Sequence, residues 1–214
     1  MIKQKLKQEV AQAAVMLWKK GLSIGRDAGD TSFRDPKDQL IYICPRPTEK
    51  LIIKNWGITK AEHIVVINPK GEVVDGGDIL PTLEAPMHLS IYKARPEINA
   101  IVHTHPVWST VFAITGKNIP LIDAEMDAFL GGEVVCAEYA EVGTEELGQN
   151  VVAALGKTKF AALIRNHGAV CIGTDFDNAF NTSNFLEKSA QTVVFGTLMG
   201  GVIAHDKLEY TPKR

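Results

Sequence analysis

The sequence predicts an α/β domain: a mixed, largely antiparallel sheet with helices on both faces. Three observations predict it. Apolar residues at helical spacing alternate along the chain with short β-branched runs. Several runs are joined by turns of a few residues, which suits antiparallel neighbours, while others are separated by segments long enough for a helix. No composition shift marks a linker, so residues 1–214 read as a single domain with a polar tail over about 205–214.

The elements follow in order. Ile2, Leu6, Val10, Ala13 and Leu17 recur at helical spacing, and the first helix ends at Gly21. Residues 25–35 are polar and glycine-bearing, with a short strand over 31–34. Residues 39–44 form a strand stopped by Pro45 and Pro47. A strand over 63–68, a turn at Pro69 to Glu72, and extended chain at Val73 and Val74 come next. Pro81 introduces a helix over about 84–94, closed by Arg95 and Pro96. A strand over 99–104 leads into a helix over about 107–115. Residues 133–136 are a short strand, and Thr144 caps a helix with Leu147, Val151 and Leu155 on one face. Strands over 159–165 and 169–172 flank the Asn166-His167-Gly168 turn, and a long helix spans about 175–200.

Composition excludes some functions. With 45% apolar and 22% charged residues, the chain reads as globular and able to bury a sizeable core. A formal net charge of −2 gives no bulk attraction to nucleic acid or to an anionic membrane. The longest apolar stretch, 193–204, is too short and too broken by glycine to span a bilayer. The first residues have no apolar signal core. Cys44, Cys136 and Cys171 are scattered, odd in number and without metal-ligand spacing; they read as small core hydrophobes in a reducing cytoplasm.

The chemistry centres on residues 98–106, an apolar run ending in His103-Thr104-His105-Pro106. Residues i and i+2 of a strand face the same way, so two imidazoles project side by side from its end. Pro106 has no N–H for a ladder, so the strand stops there. Such a pair is half of a metal site. His167, in a second apolar run broken by Gly168, offers a third imidazole, and Glu84 offers a carboxylate. Together they make three ligands, an open position and an acid/base group. Glu84 alone would also suit a solvated first helical turn. His88 follows one turn after Glu84 on the same face and reads as a packing or supporting histidine; His63 and His205 read as surface residues.

These motifs together resemble the class II aldolase and adducin-head family, which includes L-fuculose-1-phosphate aldolase and L-ribulose-5-phosphate 4-epimerase. The resemblance runs from about residue 28 to 200. It is carried by Pro81-Thr82-Leu83-Glu84-Ala85-Pro86-Met87-His88, by Arg95-Pro96 leading into Val102-His103-Thr104-His105, by Gly143-Thr144-Glu145-Glu146-Leu147, and by Asn166-His167-Gly168. It implies a three-layer α/β/α fold and a homotetramer with active sites between subunits. It places a Zn²⁺ ion on His103, His105 and His167 and a catalytic acid/base on Glu84. The implied activity is lyase cleavage of a small ketose or ketose phosphate through a metal-stabilised enediolate. Epimerisation, dehydration or decarboxylation on the same metal site, or an adducin-like interaction module, are the alternatives, and another divalent metal would suit the same imidazoles.

The resemblance also assigns further positions. The aldolase holds its sugar phosphate with a Gly-Asn-X-Ser segment, a Thr-Gly pair and a Ser-Ser pair; here Asp30, Arg46-Pro47 and Thr82-Leu83 occupy those places. Asp30, Arg46 and Thr82 are therefore the candidate substrate-binding residues. Asp30 adds negative charge where a phosphate is expected, whereas the Arg46 guanidinium matches phosphate or carboxylate oxygens. That change opens carboxylate or unphosphorylated substrates. A second acid/base is open among Glu125, Asp127 and Tyr210, acting in a neighbouring subunit's pocket.

Overall fold

The computed structural model describes residues 2–25, 28–49 and 51–206. Among these residues eight strands form one sheet in the order β4-β3-β2-β1-β5-β8-β7-β6. They are β1 (Asp30–Arg34), β2 (Ile41–Ile43), β3 (Val65–Ile67), β4 (Val73–Asp75), β5 (Ala100–Thr104), β6 (Cys136–Ala137), β7 (Ala161–Ile164) and β8 (Gly168–Gly173). Every neighbouring pair is antiparallel except β6 and β7, which are parallel. The mixed, largely antiparallel sheet is thus as the sequence predicts. Among the described residues five α-helices cover it: α1 (Gln4–Lys19), α2 (Ala85–Ala94), α3 (Val107–Thr115), α4 (Glu145–Leu155) and α5 (Phe176–Leu198).

Alternation along the strands assigns the two faces. Ile41, Ile43, Val65, Ile67, Ile101, Ile164, Val170 and Ile172 point to one side and pack with Met87 and Ile91 of α2 and Leu147 and Val151 of α4. Leu163, Ala169 and Cys171 point to the other side, against Phe112 of α3 and Leu186, Ala190 and Val193 of α5. The same side continues as Ala100, Val102 and Cys44 under Ala13, Ala14 and Leu17 of α1. Helices on both faces make three layers. β5 is buried along its whole length, which explains its near-continuous apolar sequence.

Local departures have local causes. The strand expected from His63 begins only at Val65, because Ala61–His63 close a 3-10 turn. The edge strand β6 is shifted to Cys136–Ala137, while Val134 instead bridges Ile119. Residues Met126–Leu130, to which the sequence pattern assigns no element, wind into a π-helical turn started by the Asp123 carboxylate accepting from the Met126 N–H at 2.9 Å. The polar tail, Tyr210 included, falls outside the described residues beyond Asp206; before that point the His205 N–H donates to the Leu121 carbonyl.

Candidate active site

Three separate elements deliver three histidines to one place. His103 is the fourth residue of β5 and is fully buried. His105 lies just past the strand end, where its N–H donates to the Leu22 carbonyl at 2.7 Å. Pro106 then caps α3, whose first amides find an acceptor from another helix: the Glu187 carboxylate of α5 takes the N–H groups of Trp108 at 2.7 Å and Ser109 at 2.9 Å. That support fixes the chain immediately after the His pair, and no local sequence pattern announces it.

His167 sits in the turn between β7 and β8. Asn166 takes the left-handed conformation there, with φ 57°, which asparagine tolerates better than most side chains. Gly168 follows because a Cβ would lie 2.4 Å from the Thr104 carbonyl oxygen and 3.2 Å from the His105 ring. β8 can lie this close to the His105 segment only without a side chain at that position.

The three rings meet pairwise edge to face, with centroids 4.6, 4.7 and 4.8 Å apart. One ring nitrogen from each lies within 4.8 Å of the others, a cluster able to hold a metal ion. His103 Nδ1 lies 2.9 Å from the Ala169 carbonyl, which can only accept, so Nδ1 carries a proton and Nε2 is the atom that faces the cluster. His105 Nε2 approaches His103 Nε2 to 2.9 Å. Two ring nitrogens that close must share a proton or a cation. The Glu84 carboxylate completes the set: Oε2 lies 3.1 Å from His103 Nε2 and Oε1 lies 3.2 Å from His167 Nε2. Three imidazoles and a carboxylate suit a borderline-soft divalent ion.

The charges are mutually adjusted. Burial would raise the Glu84 pKa, but His103 and His167 more than offset it and hold the carboxyl well below its ordinary range. Burial likewise opposes charge on His103, yet Glu84 carries it up to about 9. Burial and the neighbouring imidazoles take His105 down to about 3. Protons and a cation compete for the same lone pairs in this cluster.

Glu84 is set by its own backbone. It is the N-cap of α2, and its N–H donates to the Thr82 hydroxyl at 3.3 Å. Thr82 donates in turn to Asp30 Oδ2 at 2.5 Å, and Asp30 Oδ1 lies 2.8 Å from His88 Nε2. Asp30 and Thr82, expected at the substrate, are therefore brought next to Glu84 and bonded to each other. The Asp30 carboxylate is buried and pairs inside the protein.

Arg46 follows β2, its N–H bonded to the Leu80 carbonyl, in the segment that bridges Pro45 to Pro81 next to Thr82. Its Nε has no hydrogen-bond partner among the described residues. Glu125 and Asp127 are not brought to the cluster by any described contact. Glu125 is exposed and pairs with Lys188 at 2.8 Å, as does Asp123 at 2.6 Å.

A three-histidine cluster with an adjoining ionised carboxylate, at the ends of the central strands of a three-layer α/β/α fold, defines a class II, metal-site lyase. The model of the class II aldolase and adducin N-terminal domain matches residues 8–194, and the chain belongs to that family. It is 32% identical over 191 residues to the L-fuculose phosphate aldolase of Escherichia coli K12, covering 89% of this chain and 83% of that protein. It is 31% identical, over 89% of this chain and 85% of the relative, to the 5-deoxy-D-ribulose 1-phosphate aldolase of Bacillus thuringiensis serovar kurstaki. The solved structure of an L-fuculose 1-phosphate aldolase superposes with a TM-score of 0.87 at 32% identity, covering 97% of this chain and 93% of that one. The chain is a class II aldolase-type lyase.

Proposed function

We propose that this lyase uses zinc, held by His103, His105 and His167, to cleave a small ketose 1-phosphate into an aldehyde and a three-carbon ketone phosphate. The observation that carries the reading is the convergence of three ring nitrogens from β5, its exit and the β7–β8 turn, with Glu84 against two of them. The 5-deoxy-D-ribulose 1-phosphate aldolase and the solved L-fuculose 1-phosphate aldolase act on ketose 1-phosphates by name, which supports the substrate class.

His103, His105 and His167 would hold the ion, and a divalent cation there supplies a Lewis acid for the ketose carbonyl and its neighbouring hydroxyl. Glu84, ionised at neutral pH, accepts and returns a proton at the carbon next to that carbonyl. Cleavage removes a proton from the hydroxyl beyond the scissile bond, releases the aldehyde, and leaves an electron pair on the carbon next to the carbonyl; Glu84 first takes up a proton from water and then delivers it to that carbon. The group taking that first proton is Glu125, Asp127 or Tyr210 of a neighbouring subunit. Arg46 is the anion anchor, its guanidinium lying beyond β2 without a partner for Nε among the described residues. Asp30 presents no bare charge to a phosphate, because His88 and Thr82 already engage both of its oxygens.

The functional unit is a homotetramer. Val107, Val111 and Ile114 form an exposed apolar stripe at i, i+4 and i+7 on α3, and Phe195, Leu198 and Met199 continue it at the end of α5. The setting is the cytoplasm, consistent with three free, buried cysteines. No helix among the described residues is long and apolar enough to cross a membrane.

The test is metal analysis of the purified protein together with a paired panel of ketoses and ketose 1-phosphates. Stoichiometric zinc and aldehyde release from a phosphorylated ketose are expected. An inverted stereocentre, loss of water or evolved carbon dioxide would replace aldol cleavage with another reaction of the family, and turnover of the unphosphorylated sugar alone would overturn the phosphate.

A further inference from the structure

Two residues on one face of β1 meet two residues on one face of α2. Asp30 and Ser32 are i and i+2 on the strand; His88 and Tyr92 are i and i+4 on the helix. Their polar atoms form one buried line. Thr82 Oγ1 lies 2.5 Å from Asp30 Oδ2, and Asp30 Oδ1 lies 2.8 Å from His88 Nε2. His88 Nδ1 lies 2.6 Å from Ser32 Oγ, Ser32 Oγ lies 2.8 Å from the Tyr92 hydroxyl, and that hydroxyl lies 3.2 Å from the Asn99 carbonyl oxygen. All five side chains are buried, and at the near end Thr82 receives the N–H of Glu84.

We infer that Asp30 is a positioning residue: with His88 it forms a buried clamp that, through Thr82, fixes the turn carrying Glu84, and the charge of Asp30 sets the direction in which the whole line donates. This rests on the lyase reading of Glu84. A carboxylate only accepts, so Thr82 donates to one oxygen and His88 Nε2 carries a proton toward the other. His88 Nδ1 then accepts from Ser32, and Ser32 accepts from Tyr92. Tyr92 has a single proton for two acceptors, Ser32 Oγ at 2.8 Å and the Asn99 carbonyl oxygen at 3.2 Å, and this arrangement spends it on Ser32. An amide at position 30 would still accept from Thr82 but would donate to His88. His88 would then carry its proton on Nδ1 and donate to Ser32, Ser32 to Tyr92, and Tyr92 to Asn99. Every group keeps a polar partner within hydrogen-bond distance in both arrangements, so Asp30→Asn reverses the line without unmaking it.

The experiment has two arms on the full-length protein. The first is ¹⁵N-histidine NMR of the wild type and Asp30→Asn. His88 is expected to carry its proton on Nε2 in the wild type and on Nδ1 in the variant. The same tautomer in both would overturn the clamp. The second arm compares Thr82→Val and Thr82→Ser for zinc affinity and for turnover of the best ketose phosphate. Thr82→Val is expected to lower kcat at least tenfold, with KM and zinc affinity within threefold, while Thr82→Ser stays within twofold of wild type. Thr82→Val with normal kcat, or equal losses in both variants, would overturn the positioning role. A rise in KM alone for Asp30→Asn would make Asp30 a substrate contact instead. The NMR arm needs no turnover, so a chain that cleaves no ketose phosphate counts against the lyase reading and leaves the clamp to be judged by its tautomer.

Discussion

The Glu84 carboxylate bridges His103 and His167, one oxygen 3.1 Å from the first and the other 3.2 Å from the second. It is the one acid held against the histidine cluster by described contacts, and the imidazoles keep it ionised. Glu84→Gln keeps the shape and hydrogen-bonding reach while removing the proton acceptor. Zinc content should be retained, and kcat should fall by about 10²–10⁴-fold, the usual worth of a general acid/base. Metal analysis beside a turnover assay checks both halves. Unchanged turnover would take Glu84 out of the proton transfer.

His105 has a different standing from Glu84, because its ring contributes one of only three ring nitrogens in the cluster. His105→Ala leaves two imidazoles. Its loss of zinc affinity should exceed the 10–100-fold that a partner supporting a ligand is worth. Competition against a chromophoric chelator measures it, with His63→Ala as a control that should bind zinc normally.

The cluster also makes the chelator-treated protein sensitive to pH. Burial lowers His103, but Glu84 more than compensates and takes it up to about 9. An unfolded histidine titrates near 6.5. His103 therefore contributes stability in full below pH 6.5 and loses it as pH rises through about 9. His105, taken down to about 3 by burial and by His103 and His167, has the opposite sign: its contribution is full above 6.5 and is lost as pH falls toward 3. Glu84, depressed, adds to the loss on the acid side. Thermal unfolding in chelator should show greatest stability near pH 6.5, and a flat profile would remove the coupling. Zinc must also displace the His103 proton, so between pH 6.5 and 9 its apparent affinity should rise by about tenfold per pH unit. Calorimetry in buffers of different ionisation heat reads the released proton.

Much of this arrangement was legible in residue order because it depends on periodicity. The i, i+2 spacing of His103 and His105, the proline after them and the glycine after His167 each constrain one strand end, and the strand ends meet. The partnership of Asp30 with His88 was not legible, although its ingredients were: Asp30 and Ser32 at strand spacing, His88 and Tyr92 at helix spacing. Periodicity says which residues share a face but not which strand lies under which helix. That pairing comes from the sheet order, in which β1 adjoins β5 although the two are far apart in the chain. Asp30 was read as a phosphate-site residue for want of its neighbour. Glu187 was invisible for the same reason, since a carboxylate capping a helix from another helix leaves no local mark. The π-helical turn at Met126–Leu130 was missed because its sequence has no helical stripe to distinguish it from a loop.

Gly168 tests whether strand spacing and metal affinity are linked. It starts β8 beside the end of β5, and its backbone is not in a region reserved for glycine, so the constraint is purely one of space. An added methyl would meet the Thr104 carbonyl oxygen at 2.4 Å and the His105 ring at 3.2 Å. The carbonyl belongs to the β5 backbone, buried in the middle of the sheet, and cannot move far. β8 must shift outward or the ring must turn. Overpacking of this kind costs about 1–3 kcal/mol. Gly168→Ala should therefore lower stability by that amount in denaturant unfolding, and should weaken zinc binding as well, because a turned His105 ring no longer faces His103 at 2.9 Å. If stability falls while zinc affinity holds, the strand has yielded and the ring has not. His105 would then be held by the Leu22 carbonyl and the Glu187-capped helix after it, not by its packing against Gly168.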